Sequence, residues 1–91
     1  MPRITFTPQL RRFVEAPEFD SAGAGTLLAL LDEAFVRNPR LRGYIVDDQG
    51  HLRPNVVVFI DGRRSTERVR LEEEALAPGS QVHVLQALSG G

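Results

Sequence analysis

The stretch "GTLLALLDEAFVRNP", Gly25–Pro39, decides the architecture of this 91-residue chain. Leu27, Leu30, Leu31 and Ala34 fall at i, i+3, i+4 and i+7, which is one face of an α-helix. Leu28 and Phe35 widen that stripe, and Asp32, Glu33 and Arg37 are expected to face water. Thr26 is placed to cap the first turn, because its hydroxyl accepts from backbone N–H groups that lack a partner inside the helix. Asn38-Pro39 ends the helix, since the residue before a proline disfavours helical backbone. A helix with one broad apolar stripe covers one surface, so the flanking sequence has to supply that surface.

On the N-terminal side, "RITFT" (Arg3–Thr7) alternates: Ile4 and Phe6 point one way, Arg3, Thr5 and Thr7 the other. Pro8 stops this strand, and the following "PQLRRFVEA" reads as a loop anchored by Leu10 and Phe13. "PEFDSAG" (Pro17–Gly23) reads as a weak edge strand, with a proline at its start and acidic residues that discourage further pairing.

On the C-terminal side, "GYIV" fits either a short strand or a turn of helix, and "DDQG" is turn chemistry. "NVVVFIDGRR" is an apolar strand closed by a hairpin-type Asp61-Gly62 turn. Its partner is expected to begin around "STERVRL", and "LEEEALAPGS" to form a short helical turn with Glu72–Glu74 solvated. "QVHVLQAL" is a final strand that runs into Ser89-Gly90-Gly91.

These elements predict an α+β domain: a mixed sheet of four to five strands with one main helix packed on one face. The covered face should carry Ile4, Phe6, Val56, Val58, Ile60, Val82 and Val84. The intervening Val57, Phe59, His83 and Leu85 then point to the uncovered face, where polar residues are expected. Three of these four are apolar, so this face either docks a partner or lies under loops and chain ends.

Composition bounds the function. Ninety-one residues make one domain, and 42% apolar with 25% charged residues is ordinary globular composition. Eleven basic against twelve acidic side chains argue against a nucleic-acid binder. The chain has no cysteine, which excludes disulfide scaffolds, thiolate zinc sites and cysteine nucleophiles, and its two histidines do not make a metal cluster. His51 and His83 read as surface residues, and Arg11-Arg12 and Arg63-Arg64 as solvated loop charges or part of a docking rim. "GAG" (Gly23–Gly25) lacks the lysine and spacing of a phosphate loop. No apolar run has the length of a signal peptide or membrane span, so a soluble, cytoplasmic protein is expected.

The two final glycines, read alone, fit a frayed end as well as a reactive one. Taken with "RITF", "AGTLLALLDEAF", "VVVFIDGRR" and "PGSQVHVLQALSGG" in that order, they resemble the prokaryotic ubiquitin-like sulfur-carrier family of β-grasp fold. That family includes the small subunit of molybdopterin synthase, the thiamine-pathway sulfur carrier and carriers of the cysteine-biosynthesis type. The long "GYIVDDQGHLRPNVVVFIDG" segment is most similar to the last of these and to archaeal small modifiers.

The resemblance implies a protein co-substrate rather than an enzyme, with no bound cofactor or metal. It implies that an activating enzyme of ubiquitin type adenylates the Gly91 carboxylate with ATP and that sulfur then displaces AMP to leave a thiocarboxylate. A sulfur-transfer synthase or sulfhydrylase would receive the sulfur. Residues 1–88 would form the folded domain and residues 89–91 a flexible arm; Ser89 and Gly90 are small enough for a narrow channel. Leu85, Phe59, Val57 and His83, with Leu88 at the root of the arm, would dock the partner enzymes. The same chemistry also serves a modifier conjugated to proteins through Gly91, or a permanent subunit of a molybdopterin-synthase-type complex.

Overall fold

The computed structural model describes residues 1–86. Chain order is β1 (Arg3–Phe6), β2 (Phe19–Asp20), α1 (Leu27–Arg37), α2 (Arg42–Ile45), β3 (Val56–Ile60), β4 (Arg63–Arg64) and β5 (Gln81–Gln86), with short 3₁₀ turns between them. The five strands form one sheet in the order β2-β1-β5-β3-β4. β1 and β5 are parallel and every other pair is antiparallel, so the sheet is mixed and the last strand lies at its centre.

Helix α1 forms as its periodicity requires. Thr26 is extended, and its hydroxyl accepts from the backbone N–H of Ala29 at 3.1 Å. The carbonyl of Glu74 takes the N–H of Leu27 at 2.9 Å, so a second first-turn donor is satisfied from across the fold. Asn38 leaves helical geometry at the other end, and its side chain donates to the carbonyl of Glu15 at 2.6 Å. Leu27, Leu30, Leu31 and Ala34 are fully buried and Phe35 nearly so. All seven residues assigned to the covered face of the sheet are buried, each at 5% exposure or less. Each such side chain contributes roughly 1.5–3 kcal/mol of burial free energy. Of the polar stripe, Asp32 and Arg37 face water, the Arg37 guanidinium lying 3.9 Å over the Phe19 ring, whereas Glu33 is half-buried and accepts from the Ser21 hydroxyl at 2.8 Å.

The hairpin corrects one expectation. Asp61 and Gly62 both have positive φ, 53° and 85°, so they make a two-residue turn and pairing resumes at once. The partner strand is therefore Arg63–Arg64, and "STERVRL" follows it. The turn is sewn to the start of β5: the Asp61 carboxylate accepts from the backbone N–H of Gln81 at 2.8 Å and from the Ser80 hydroxyl at 3.1 Å.

"GYIV" resolves largely to helix, with α2 ending at Ile45 and Val46 bridging to Leu52. Between them the Asp47 carboxylate accepts from the backbone N–H groups of His51 and Gln49, and these bonds, that to His51 foremost, hold its pKa below the ordinary carboxylate value. Arg68 fastens the end of this segment to β3 by donating to the carbonyls of Arg53 and Val56.

Two anchors differ from expectation. Leu10 is buried, but Phe13 is 57% exposed and Val14 is buried in its place. The 3₁₀ turn Leu10–Arg12 explains this: the N–H of Val14 bonds to the Leu10 carbonyl, which brings those two side chains to one side and turns Phe13 outward. Glu74 is also not solvated. Its carboxylate accepts from the Ser65 hydroxyl at 2.5 Å and pairs with Arg63 at 3.3 Å, with its side chain only 14% exposed.

Candidate functional site

The sheet face opposite α1 is built by period-two alternation on β1, β3 and β5. Cross-strand register sets Val57 opposite Leu85, and sets His83 between Thr5 on one side and Phe59 on the other. Arg64 continues that row on β4, opposite Phe59. Four of the five docking residues expected from sequence are thus brought together as two cross-strand pairs of β3 and β5. Val57 and Phe59 are half-buried by their neighbours, while His83 and Leu85 are exposed, Leu85 at 37%. The fifth, Leu88, lies outside the described residues, as do Ser89, Gly90 and Gly91.

The face has relief. A groove of about 720 Å³ is lined by Thr5, Thr7, Phe59, His83 and Leu85, with Arg11 and Glu18 at its rim. A second hollow of about 420 Å³ is lined by Val57, Arg64 and Gln86 together with Phe59 and Leu85. Phe59 and Leu85 line both, so they form the ridge between the two depressions. A partner that covers this ridge removes an aromatic and an aliphatic side chain from water, the kind of anchor that dominates interface energies.

Polar groups surround the ridge. The Thr5 hydroxyl and the Nδ1 atom of His83 share a hydrogen bond of 2.5 Å, whose donor depends on the imidazole tautomer. Arg11 pairs with Glu18 at 3.4 Å, and Arg3 reaches both Glu18 and Asp20 at 3.2 and 3.1 Å. Arg63 pairs with Glu74, whereas exposed Arg64 has no ion-pair partner among the described residues. Arg11 and Arg63 are therefore exposed charges that are also paired, and Arg63-Arg64 belong to a strand.

Sequence reasoning did not connect Thr5 with His83. The alternation of β1 had put Thr5 on the outward face, but only the parallel β1–β5 pairing sets it beside the histidine. Gln86 was also missed. It is 6% exposed at the end of β5, and its amide donates to the Tyr44 carbonyl at 2.7 Å, tying the last described residue of β5 to α2. Period two along β5, continued past Val82 and Val84, is the signal that puts it on the buried face.

Among the described residues, no three His, Asp or Glu side chains are grouped to hold a metal ion, and no helix is long and apolar enough to cross a membrane.

Solved structures with this fold span nearly the whole chain. A chain of the Amycolatopsis orientalis BexX/CysO complex superposes with a TM-score of 0.76 at 18% identity, covering 100% of both chains. SAMP1 from Haloferax volcanii gives 0.74 at 22% identity, covering 99% of this chain and 98% of its own. The small archaeal modifier protein 1 of Methanosarcina acetivorans gives 0.73 at 20%, covering 99% and 95%. These likenesses show the ubiquitin-like β-grasp fold. A search of curated proteins finds no match to the sequence. Residues 4–91, from β1 through the final glycine, match the ThiS family, and the chain belongs to that family.

Proposed function

We propose that the protein is a sulfur carrier that works through the carboxylate of Gly91. An adenylating enzyme of the ubiquitin-activating type uses ATP to form the Gly91 acyl-adenylate, sulfur displaces AMP, and the resulting thiocarboxylate passes its sulfur to a biosynthetic acceptor held by a second enzyme. The observation that carries this reading is that the family match runs through Gly91, the residue to which β5 leads. A carboxylate is a poor electrophile, so the chemistry calls for activation elsewhere, and the carrier contributes presentation. The Phe59–Leu85 ridge beside the end of β5 supplies the body contact that offsets the ordering of a short arm in each active site. The protein is then a co-substrate of its partners and operates in the cytoplasm, where ATP is available.

A second reading has its own support. Two of the similar structures are described as small archaeal modifier proteins, and a modifier would be joined through Gly91 to amines of other proteins. One experiment separates the two. The protein is incubated with a cognate activating enzyme, ATP and a sulfide source, and its intact mass is measured. Replacement of one oxygen by sulfur, mapped to Gly91, is the expected result. Unchanged mass after AMP release has been verified would count against the carrier, and species heavier than 10.1 kDa that require Gly91 would favour the modifier.

A further inference from the structure

All eleven cationic Lys/Arg side chains of this chain are arginine; it contains no lysine, and no cysteine. Some positions need a guanidinium. Arg3 spans two carboxylates with its two terminal nitrogens, a forked geometry that an ammonium does not reproduce. Others do not. Arg12, Arg40 and Arg64 are exposed, with no side-chain partner among the described residues. A lysine would meet those positions equally well, yet none is present.

We infer that the protein is an acyl donor that cannot act as its own side-chain acceptor. This rests on the reading that Gly91 is activated. Capture by an amine forms an N–C bond at the Gly91 carbonyl carbon, breaks the bond to the leaving group, AMP or a thiol, and releases the amine proton to solvent. A guanidinium stays protonated in proteins and has no lone pair free for this attack. Serine, threonine and tyrosine hydroxyls need a general base; Thr5, bonded to His83, is the hydroxyl so placed, and an ester there would count among the side-chain adducts that overturn the inference. Imidazole attack gives an acyl-imidazole that water returns to the carboxylate. The α-amine of Met1 precedes β1, and Arg3 is paired with Gln81; the run of β5, roughly 17 Å at the usual strand rise, separates that end from Gln86.

Two consequences follow from this chemistry. The activated end is spent on external acceptors or on water, and not on the side chains of the carrier population itself. Any conjugates with other proteins carry one copy per acceptor amine and are not extended into branched chains through this protein's side chains.

The test uses Gly91 as a small-molecule thioester, made by thiol cleavage of a C-terminal intein fusion. No activating enzyme is involved, so the outcome is independent of whether an adenylating partner exists. Wild type is compared with Arg64→Lys and Arg12→Lys at about pH 9, where a usable fraction of lysine is neutral. Arg64 lines the same hollow as Leu85 and Gln86, so its lysine variant should close on the thioester internally. The expected result is thioester loss about tenfold faster than in wild type, as a short tether's millimolar effective concentration allows. The product should be an amide at the new lysine, whereas wild type should yield only the Gly91 carboxylate. Side-chain adducts in wild type, or absence of lysine adducts in both variants, would overturn the inference. Success here combined with failure of adenylation would leave the lack of a side-chain acceptor standing as a property of the chain, and would reject the carrier reading and the donor role with it.

Discussion

The two faces of the sheet are made by the same strands and nearly the same residue types, yet they end in different environments. On the helix side, Ile4, Val56, Val58, Ile60, Val82 and Val84 are each at 2% exposure or less. On the other side, Val57 and Phe59 are half-buried and Leu85 is exposed. α1 lies on one face only, because its apolar residues occupy one stripe. Apolar content therefore does not define the core of this domain; coverage does. An apolar row left uncovered beside the end of β5 is available to a partner.

The strongest way to break this comparison is to charge one face and then the other. Val84→Glu buries a carboxylate among Ile4-side neighbours with no partner to pair it, at a cost above about 4 kcal/mol. That is a large share of the stability of an ordinary small domain, about 5–15 kcal/mol, and this chain is at the small end. Loss of the cooperative thermal transition in circular dichroism is expected.

Leu85→Glu and Phe59→Glu make the complementary perturbation. Both should keep a cooperative transition, with Leu85→Glu within about 1 kcal/mol of wild type on its exposed site and Phe59→Glu costing about 2 kcal/mol on its half-buried one. Both should abolish activation of Gly91 by a partner enzyme, read as loss of thiocarboxylate in the intact mass. Unfolding by Leu85→Glu with a folded Val84→Glu protein would mean that β5 presents the opposite face, a one-residue shift of phase.

Much of this arrangement was legible because its causes are local. The helix follows from residues three and four apart and from a capping threonine at its start, and the two faces follow from alternation along β1, β3 and β5. What escaped reading depends on contacts distant in sequence or on a change of local backbone geometry. Phe13 looks like an anchor until the 3₁₀ turn pairs Leu10 with Val14 and turns the aromatic ring outward. Glu74 belongs to an acidic run that reads as solvated, but the hairpin brings Ser65 and Arg63 against it. The Thr5–His83 contact needs two strands 78 residues apart to lie in parallel, which no local pattern encodes. The position of β4 was misjudged although the Asp61-Gly62 pair carried the answer, since a two-residue turn with two positive φ values returns the chain to its partner immediately. The proposed reactive end was legible as a motif, because its glycines follow the other segments in a fixed order.

The finest comparison uses Val57 and Val58, adjacent residues of one type on one strand. Truncating Val58 to alanine removes two methyl groups from a site at 1% exposure, in contact with the helix-covered core. About 2 kcal/mol of destabilisation is expected from lost burial and the small cavity left behind. Val57→Ala removes the same atoms from the half-buried face, where water already reaches part of the side chain and can occupy the space vacated. Its cost should be less than half as large, about 0.5–1 kcal/mol. Urea denaturation with unchanged m-values reads both effects on one scale. Binding to a partner should reverse the order, with Val57→Ala weakening it more than Val58→Ala. Equal destabilisation by the two variants would show that the uncovered face is buried in solution by something other than this chain, and dilution or size-exclusion chromatography would then identify a second copy as the cover.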